Sequence, residues 1–248
     1  LSGSEENTLN MLKELDIKIK SNEYWFSLQD INDQQIDKII NSLSLNVYSK
    51  KEILGNVLIL NDEEKNSPLK DIKEFNLFLE ACIVYNKPSI AVAKCLLSNN
   101  YKNKAIDVLR DYRLEAIKAL SLFYTRSEQD IVIEKENCLI INFKNLIAEE
   151  ILEKTIELIQ NSKLYPQKKR AIGLCQTKSD KIKCVIAIYN NQLDSNIKNF
   201  INSLPSEIHY ENKDSKIILM YTSQEKEGKL IELALEHLES IRIEEINK

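Results

Sequence analysis

Apolar positions recur at helical spacing through most of the first half of the chain, then change to a hairpin-and-helix rhythm in the second half. Residues 7–15 form a short candidate helix. Asp30 or Asn32 is placed to cap a helix over about 32–43, where Ile36, Ile39, Ile40 and Leu43 fall at helical spacing. Gly55-Asn-Val-Leu-Ile-Leu-Asn61 predicts a short apolar strand, the one convincing strand of this half. Pro68 marks a helix start, because its fixed φ suits the first helical position. Leu69, Ile72, Phe75, Leu79, Cys82 and Ile83 then repeat at i, i+3, i+4 spacing. Pro88 opens another apolar helix (Ile90, Ala91, Val92, Ala93, Cys95, Leu96, Leu97), and a third runs over about 102–124.

In the second half, Ile131-Val-Ile and Leu139-Ile-Ile-Asn-Phe143 flank Glu134–Cys138 as a hairpin, followed by a helix at 146–162. A second hairpin pairs 170–176 with 182–189, and a helix follows at about 192–204, ended by Pro205. A third hairpin pairs Glu207–Tyr210 with Ile217–Tyr221, and a last helix spans 224–242. The unit hairpin–helix occurs three times. The fold class is α+β: a mostly helical domain over 1–128 and, over 129–248, helices packed on a twisted mixed sheet. The polar run Thr125-Arg-Ser-Glu-Gln-Asp places the boundary near 125–130.

Composition narrows the function by what is scarce. The 248 residues hold 2 His and 4 Gly, and the glycines (Gly3, Gly55, Gly173, Gly228) are isolated, so no GxGxxG or GxxxxGK[ST] loop exists. No apolar run approaches the roughly 18–20 residues of a membrane span, and the polar, acidic start carries no signal-peptide pattern. The expectation is a cytoplasmic protein with no membrane partner, no cofactor and no small-molecule substrate. Net charge is −4, against a dominant nucleic-acid binder. The charge is uneven, however: residues 1–80 hold 9 basic and 15 acidic side chains, whereas 161–184 hold seven bases and one acid. Those bases are Lys163, Lys168, Lys169, Arg170, Lys178, Lys181 and Lys183. Such a strip can hold a phosphate backbone; the other reading is a solvated lysine face.

The five cysteines form no CxxC pair, which argues against zinc and thioredoxin-like chemistry. Cys175 and Cys184 flank a turn at Ser179-Asp180; a two-residue loop would set them opposite each other and permit a disulfide, and a one-residue shift would separate them. His209 and His237 have no neighbouring ligand at ligand spacing. Glu149/Glu150 and Glu244/Glu245 are adjacent in sequence and do not share a helix face, so neither pair suits acid–base work.

Two stretches resemble a known family. Lys70-Asp-Ile-Lys-Glu-Phe-Asn-Leu-Phe-Leu-Glu-Ala-Cys-Ile-Val-Tyr-Asn-Lys-Pro-Ser-Ile-Ala-Val-Ala93, with Ala105-Ile-Asp-Val-Leu-Arg-Asp-Tyr-Arg113, resembles the region of archaeal RecJ-like proteins that follows their catalytic domain. The hairpins and helices of 130–242 follow the order of the DHH-associated domain, which binds single-stranded nucleic acid. The catalytic Asp-His-His motif of that family is absent, and Pro205-Ser-Glu-Ile-His-Tyr-Glu-Asn-Lys213 stands where the associated domain carries a glycine-rich loop. Without glycine the backbone loses its close approach to a phosphate.

The resemblance is therefore to a non-catalytic descendant, a counterpart of cell-division-cycle protein forty-five, the C of the CMG replicative helicase. It implies a scaffold that is not an enzyme, binding the GINS complex and, through it, the MCM helicase, with single-stranded DNA as a further partner. Two partner-binding surfaces are candidates: the aromatic patch Tyr24, Trp25, Phe26, and the strand Val57, Leu58, Ile59, Leu60, whose open edge suits sheet extension. Core packing is the competing reading of both. The alternative function is a stand-alone single-stranded DNA-binding module, with Tyr165, Tyr189 or Tyr210 stacking on bases beside the basic strip.

Overall fold

The computed structural model describes residues 4–18, 20, 31–43, 55, 58–64, 67–96, 99–125, 131–162, 170–187, 195–213 and 217–238. The chain divides into two compact units, Leu1–Ile117 and Lys118–Lys248. The division falls within a continuous helix, whereas the sequence reading places it in the polar segment that follows.

The first unit contains α1 (Glu5–Glu14), α2 (Asp33–Ser42), α3 (Ile72–Val84), α4 (Pro88–Cys95) and the start of α5 (Lys102–Thr125). Local chemistry sets most of these boundaries. Asn32 caps α2 in a capping box, accepting from the Gln35 N–H while the Gln35 side chain accepts from the Asn32 N–H. Pro68 opens a 3-10 turn (Pro68–Lys70), Asp71 caps α3, and Pro88 starts α4. Asn86, with φ 52, ends the helical path between α3 and α4. Leu69, Phe78, Ala81, Cys82, Ala105, Val108, Leu109 and Tyr112 are buried. The Tyr112 hydroxyl donates to Glu80 Oε1 at 2.7 Å, and Arg113 pairs with Glu74.

The predicted strand at 55–61 takes a different form. Among its described residues there is a single antiparallel bridge, Ile59 with Asp71. It is flanked by bonds from the Leu60 N–H to the Lys70 carbonyl (2.8 Å) and from the Ile72 N–H to the Leu58 carbonyl (2.9 Å). Its hydrogen bonds go to the lead-in of α3, which accounts for the apolar run without a sheet.

The second unit holds a six-stranded mixed sheet in the order β1-β2-β3-β4-β6-β5. The strands are β1 (Val132–Glu134), β2 (Cys138–Asn142), β3 (Arg170–Gln176), β4 (Lys181–Ala187), β5 (His209–Lys213) and β6 (Ile217–Ser223). Only β2 and β3 run parallel, and α6 (Leu152–Asn161) lies between them in sequence as the crossover that parallel pairing requires. Strand alternation gives the sheet two buried faces. Ile140, Ile172, Leu174, Ile182, Cys184, Ile186, Ile218 and Met220 pack with Ile197 and Phe200 of α7 (Ser195–Ser203) and Leu230, Ala234 and Leu238 of α8 (Glu227–Leu238). Leu139, Ile141, Ala171, Cys175 and Val185, on the other face, are buried on the side where α6 packs on β3 and β4.

Gly173 sets how closely α6 approaches. A Cβ there would lie 2.4 Å from Ile156 Cγ1, inside any real contact, so any other residue requires the Ile156 side chain or the helix to shift. The predicted helix over 146–162 begins only at Leu152; residues 144–151 form turns, entered through Lys144 at φ 51.

Candidate nucleic-acid interface

The β3–β4 hairpin closes through three residues rather than two. The Thr177 N–H donates to the Lys181 carbonyl at 2.7 Å, and Asp180 takes the left-handed conformation (φ 57) that such a loop needs. The extra residue moves the register by one. Cys175 pairs across the ladder with Lys183, and Cys184 with Leu174. Paired positions share a face and successive ones do not, so the two cysteines lie on opposite faces of the sheet. No bond joins them: all five cysteines are free thiols, and four of them are buried. Burial pushes the Cys175 thiol up to about 12 even with the Lys183 ammonium nearby, and burial also raises Cys184.

Among the described residues, the bases of the strip do not share one surface. Lys163, Lys168 and Lys169 lie outside the described residues. Arg170 is buried at the start of β3, on the face shared with α7 and α8, opposite Cys138. Lys183 sits on the α6 face with its side chain 6% exposed, and its Nζ donates to the Glu149 carbonyl (3.0 Å) and to Glu153 Oε1 (2.8 Å). Lys178, exposed on the hairpin loop, pairs with Glu150. Burial raises Glu150, but the Lys178 hydrogen bond, a backbone hydrogen bond and the Lys178 and Lys183 charges together hold the carboxyl below its ordinary value; the Lys178 bond in turn raises Lys178. Lys181 is exposed at the start of β4. Two of the seven bases thus link the hairpin to the acidic segment that leads into α6, and one is buried within the sheet.

A different cluster is better placed for nucleic acid. Lys183, Tyr221 and His209 occupy one rung across β4, β6 and β5, and Lys181 lies in a neighbouring rung of the same face, opposite Ser223. Tyr221 is 37% exposed, and His209 and Lys181 are exposed. An accessible ring with an exposed lysine on the same sheet face fits base stacking. Tyr221 was readable in principle from the alternation Leu219-Tyr221-Ser223, but only the register shows that Lys181 and His209 flank it. Of the tyrosines expected to stack, Tyr165 and Tyr189 lie outside the described residues, and Tyr210 is exposed on the opposite face.

The partner-binding candidates belong to the first unit. Tyr24, Trp25, Phe26 and Val57 lie outside the described residues. Leu58 and Ile59 are exposed and Leu60 is half-buried, all three beside the start of α3. Among the described residues, no helix is long and apolar enough to cross a membrane, and no three His, Cys, Asp or Glu are grouped to hold a metal ion.

No protein-family model and no curated protein matches the chain. Among solved structures, it is similar to CDC45 from Entamoeba histolytica, with a TM-score of 0.54 over 95% of this chain and 50% of that one, at 10% sequence identity. The fold is CDC45-like. The chain spans half the length of that CDC45, and the helical first half and mixed sheet both lie within the shared fold. The C-Ala domain of Aquifex aeolicus alanyl-tRNA synthetase also matches, over 44% of this chain and 97% of that domain, with a TM-score of 0.32 and 16% identity.

Proposed function

We propose that this protein is a non-catalytic DNA-replication factor, a scaffold that binds GINS and through it the MCM helicase in an archaeal CMG-like complex. The observation that carries the reading is the CDC45-like fold along 95% of the chain. Composition supports it: the 248 residues hold two histidines and no Asp-His-His motif. The buried ion pair of Lys183 with Glu153 also favours a scaffold, since this cation is turned inward instead of meeting phosphates. The test is size-exclusion chromatography with light scattering on a mixture with GINS from the same source. A stable co-eluting complex is expected, and separate elution at micromolar concentration overturns the reading.

A stand-alone single-stranded DNA-binding module is the second reading, favoured by the exposed Tyr221 with His209 beside it on β5 and the exposed Lys181 on the same face. It requires the protein alone to bind an oligonucleotide with a steep salt dependence, and Tyr221→Ala to weaken that binding; stacking on one ring is worth about 1–3 kcal/mol.

A further inference from the structure

Helix α4 is built inside out. Its one charged side chain, Lys94, is 2% exposed, with Nζ 2.6 Å from Glu63 Oε1. Glu63 is buried in turn and accepts from the Ser67 hydroxyl at 3.3 Å. Meanwhile Val92, Cys95 and the following Leu96, spaced i, i+3, i+4 along one helix face, are turned outward. Val92 is 57% and Leu96 76% exposed, and Ile83 on α3, which packs against α4, is 79% exposed. A helix oriented by water alone would do the reverse, hiding its apolar stripe and showing its lysine. An apolar patch held outward in this way is the mark of an interaction surface.

Charge indicates what would cover it. Between Glu80 and Asp107 the chain has four lysines and no acid. Lys94 and Lys102 are met by Glu63 and Glu64. Lys87 and Lys104 stay exposed, lying over the rings of Tyr85 (5.5 Å) and Tyr101 (5.2 Å). Tyr101 belongs to the 3-10 turn Asn99–Tyr101, which packs on α4, and Tyr85 caps α3. The segment that carries the patch, from 81 to 106, thus holds two exposed lysines and no acid, in a chain whose first 80 residues are net acidic.

We infer that the outer face of α4 docks an acidic amphipathic helix of a partner protein. The partner's apolar stripe meets Val92 and Leu96, and its flanking carboxylates meet Lys87 and Lys104. This docking face rests on the first unit alone and survives failure of the replication reading.

The experiment uses the full chain and a synthetic helical peptide with Leu at i, i+4 and i+7 and Glu on its flanks, beside the same peptide with Lys for Glu. Fluorescence anisotropy reads affinity. Alkylation of Cys95, the one exposed thiol of the five, reads occupancy of the patch. The acidic peptide should bind at least about tenfold more tightly than its lysine counterpart and slow Cys95 alkylation; Val92→Glu and Leu96→Glu should each weaken it by about tenfold or more. Both positions face solvent, and circular dichroism checks that the variants keep their helices. Equal affinity for the two peptides, unchanged binding in both variants, or unprotected Cys95 overturns the inference. So does tighter binding of anionic phosphatidylserine vesicles or single-stranded DNA through the same residues.

Discussion

Lys183 ties β4 to the start of α6 and the turn before it. Its ammonium is nearly closed off from water and bridges β4 to the Glu149 carbonyl and the Glu153 carboxylate. Lys183→Met keeps the stem and removes both bonds. Both bonds have the ammonium as donor, and a hydrogen bond with a charged partner is worth about 1.5–3 kcal/mol before the hydration of the freed groups is counted. Glu153 is 21% exposed and recovers part of its hydration, so the expected net loss is about 2–3 kcal/mol. Two compact units make a single unfolding free energy ill-defined, so amide hydrogen exchange of β3 and β4 is the suitable assay. Exchange of those amides should accelerate roughly 30- to 150-fold, since each 1.4 kcal/mol is a factor of ten. Any salt slope of single-stranded DNA binding should stay as it is. Lys181→Gln should do the opposite, leaving exchange unchanged and flattening the slope by about 0.7, the share of one phosphate contact on a single strand. If Lys183→Met leaves exchange untouched but flattens the slope, Lys183 is a phosphate ligand and the ion-pair account is wrong.

Gly173→Ala should destabilise the second unit by about 1–3 kcal/mol, because its Cβ would overlap Ile156. Ile156→Ala in the same chain should recover at least about 1 kcal/mol of that in a double-mutant cycle read by exchange; strict additivity would refute the contact. Lys94→Met should cost the first unit about 3–5 kcal/mol by stranding Glu63, and Lys94→Met with Glu63→Leu should restore most of it, as read from the exchange of α4 amides. Burial holds Cys175 near 12 against an ordinary 9.0 and raises Cys184 as well, so above about pH 9 the unfolded chain loses thiol protons that the folded one keeps. Stability from these thiols is complete below pH 9 and falls between 9 and about 12, by up to about 1.4 kcal/mol per pH unit for each. Thermal melting from pH 8 to 11 should show the decline, and Cys175→Ala with Cys184→Ala should flatten it.

What the sequence determined by itself is the set of features held within a few residues of one another. Asn32 with Gln35, Pro68 and Pro88 specify helix starts because a cap or a fixed φ acts within a single turn. The order of three hairpins and their helices was legible for the same reason, since a period of 2 or 3.6 is a property of neighbours. The docking face and the candidate nucleic-acid face were not legible. Lys94 reads as an ordinary helix lysine until Glu63, 31 positions earlier, is brought beside it. The basic run at 161–184 reads as one strip, but strand pairing sends Arg170 to one face, Lys183 to the other and Lys178 to the loop. One left-handed residue, Asp180, moved the hairpin register by a single step and put Cys175 and Cys184 on opposite sides of the sheet. That step is invisible in the pattern, because both registers bury a comparable set of apolar side chains. The choice between them is made by the tertiary structure, where α6 crosses over Gly173 and the acids that lead into it meet Lys178 and Lys183.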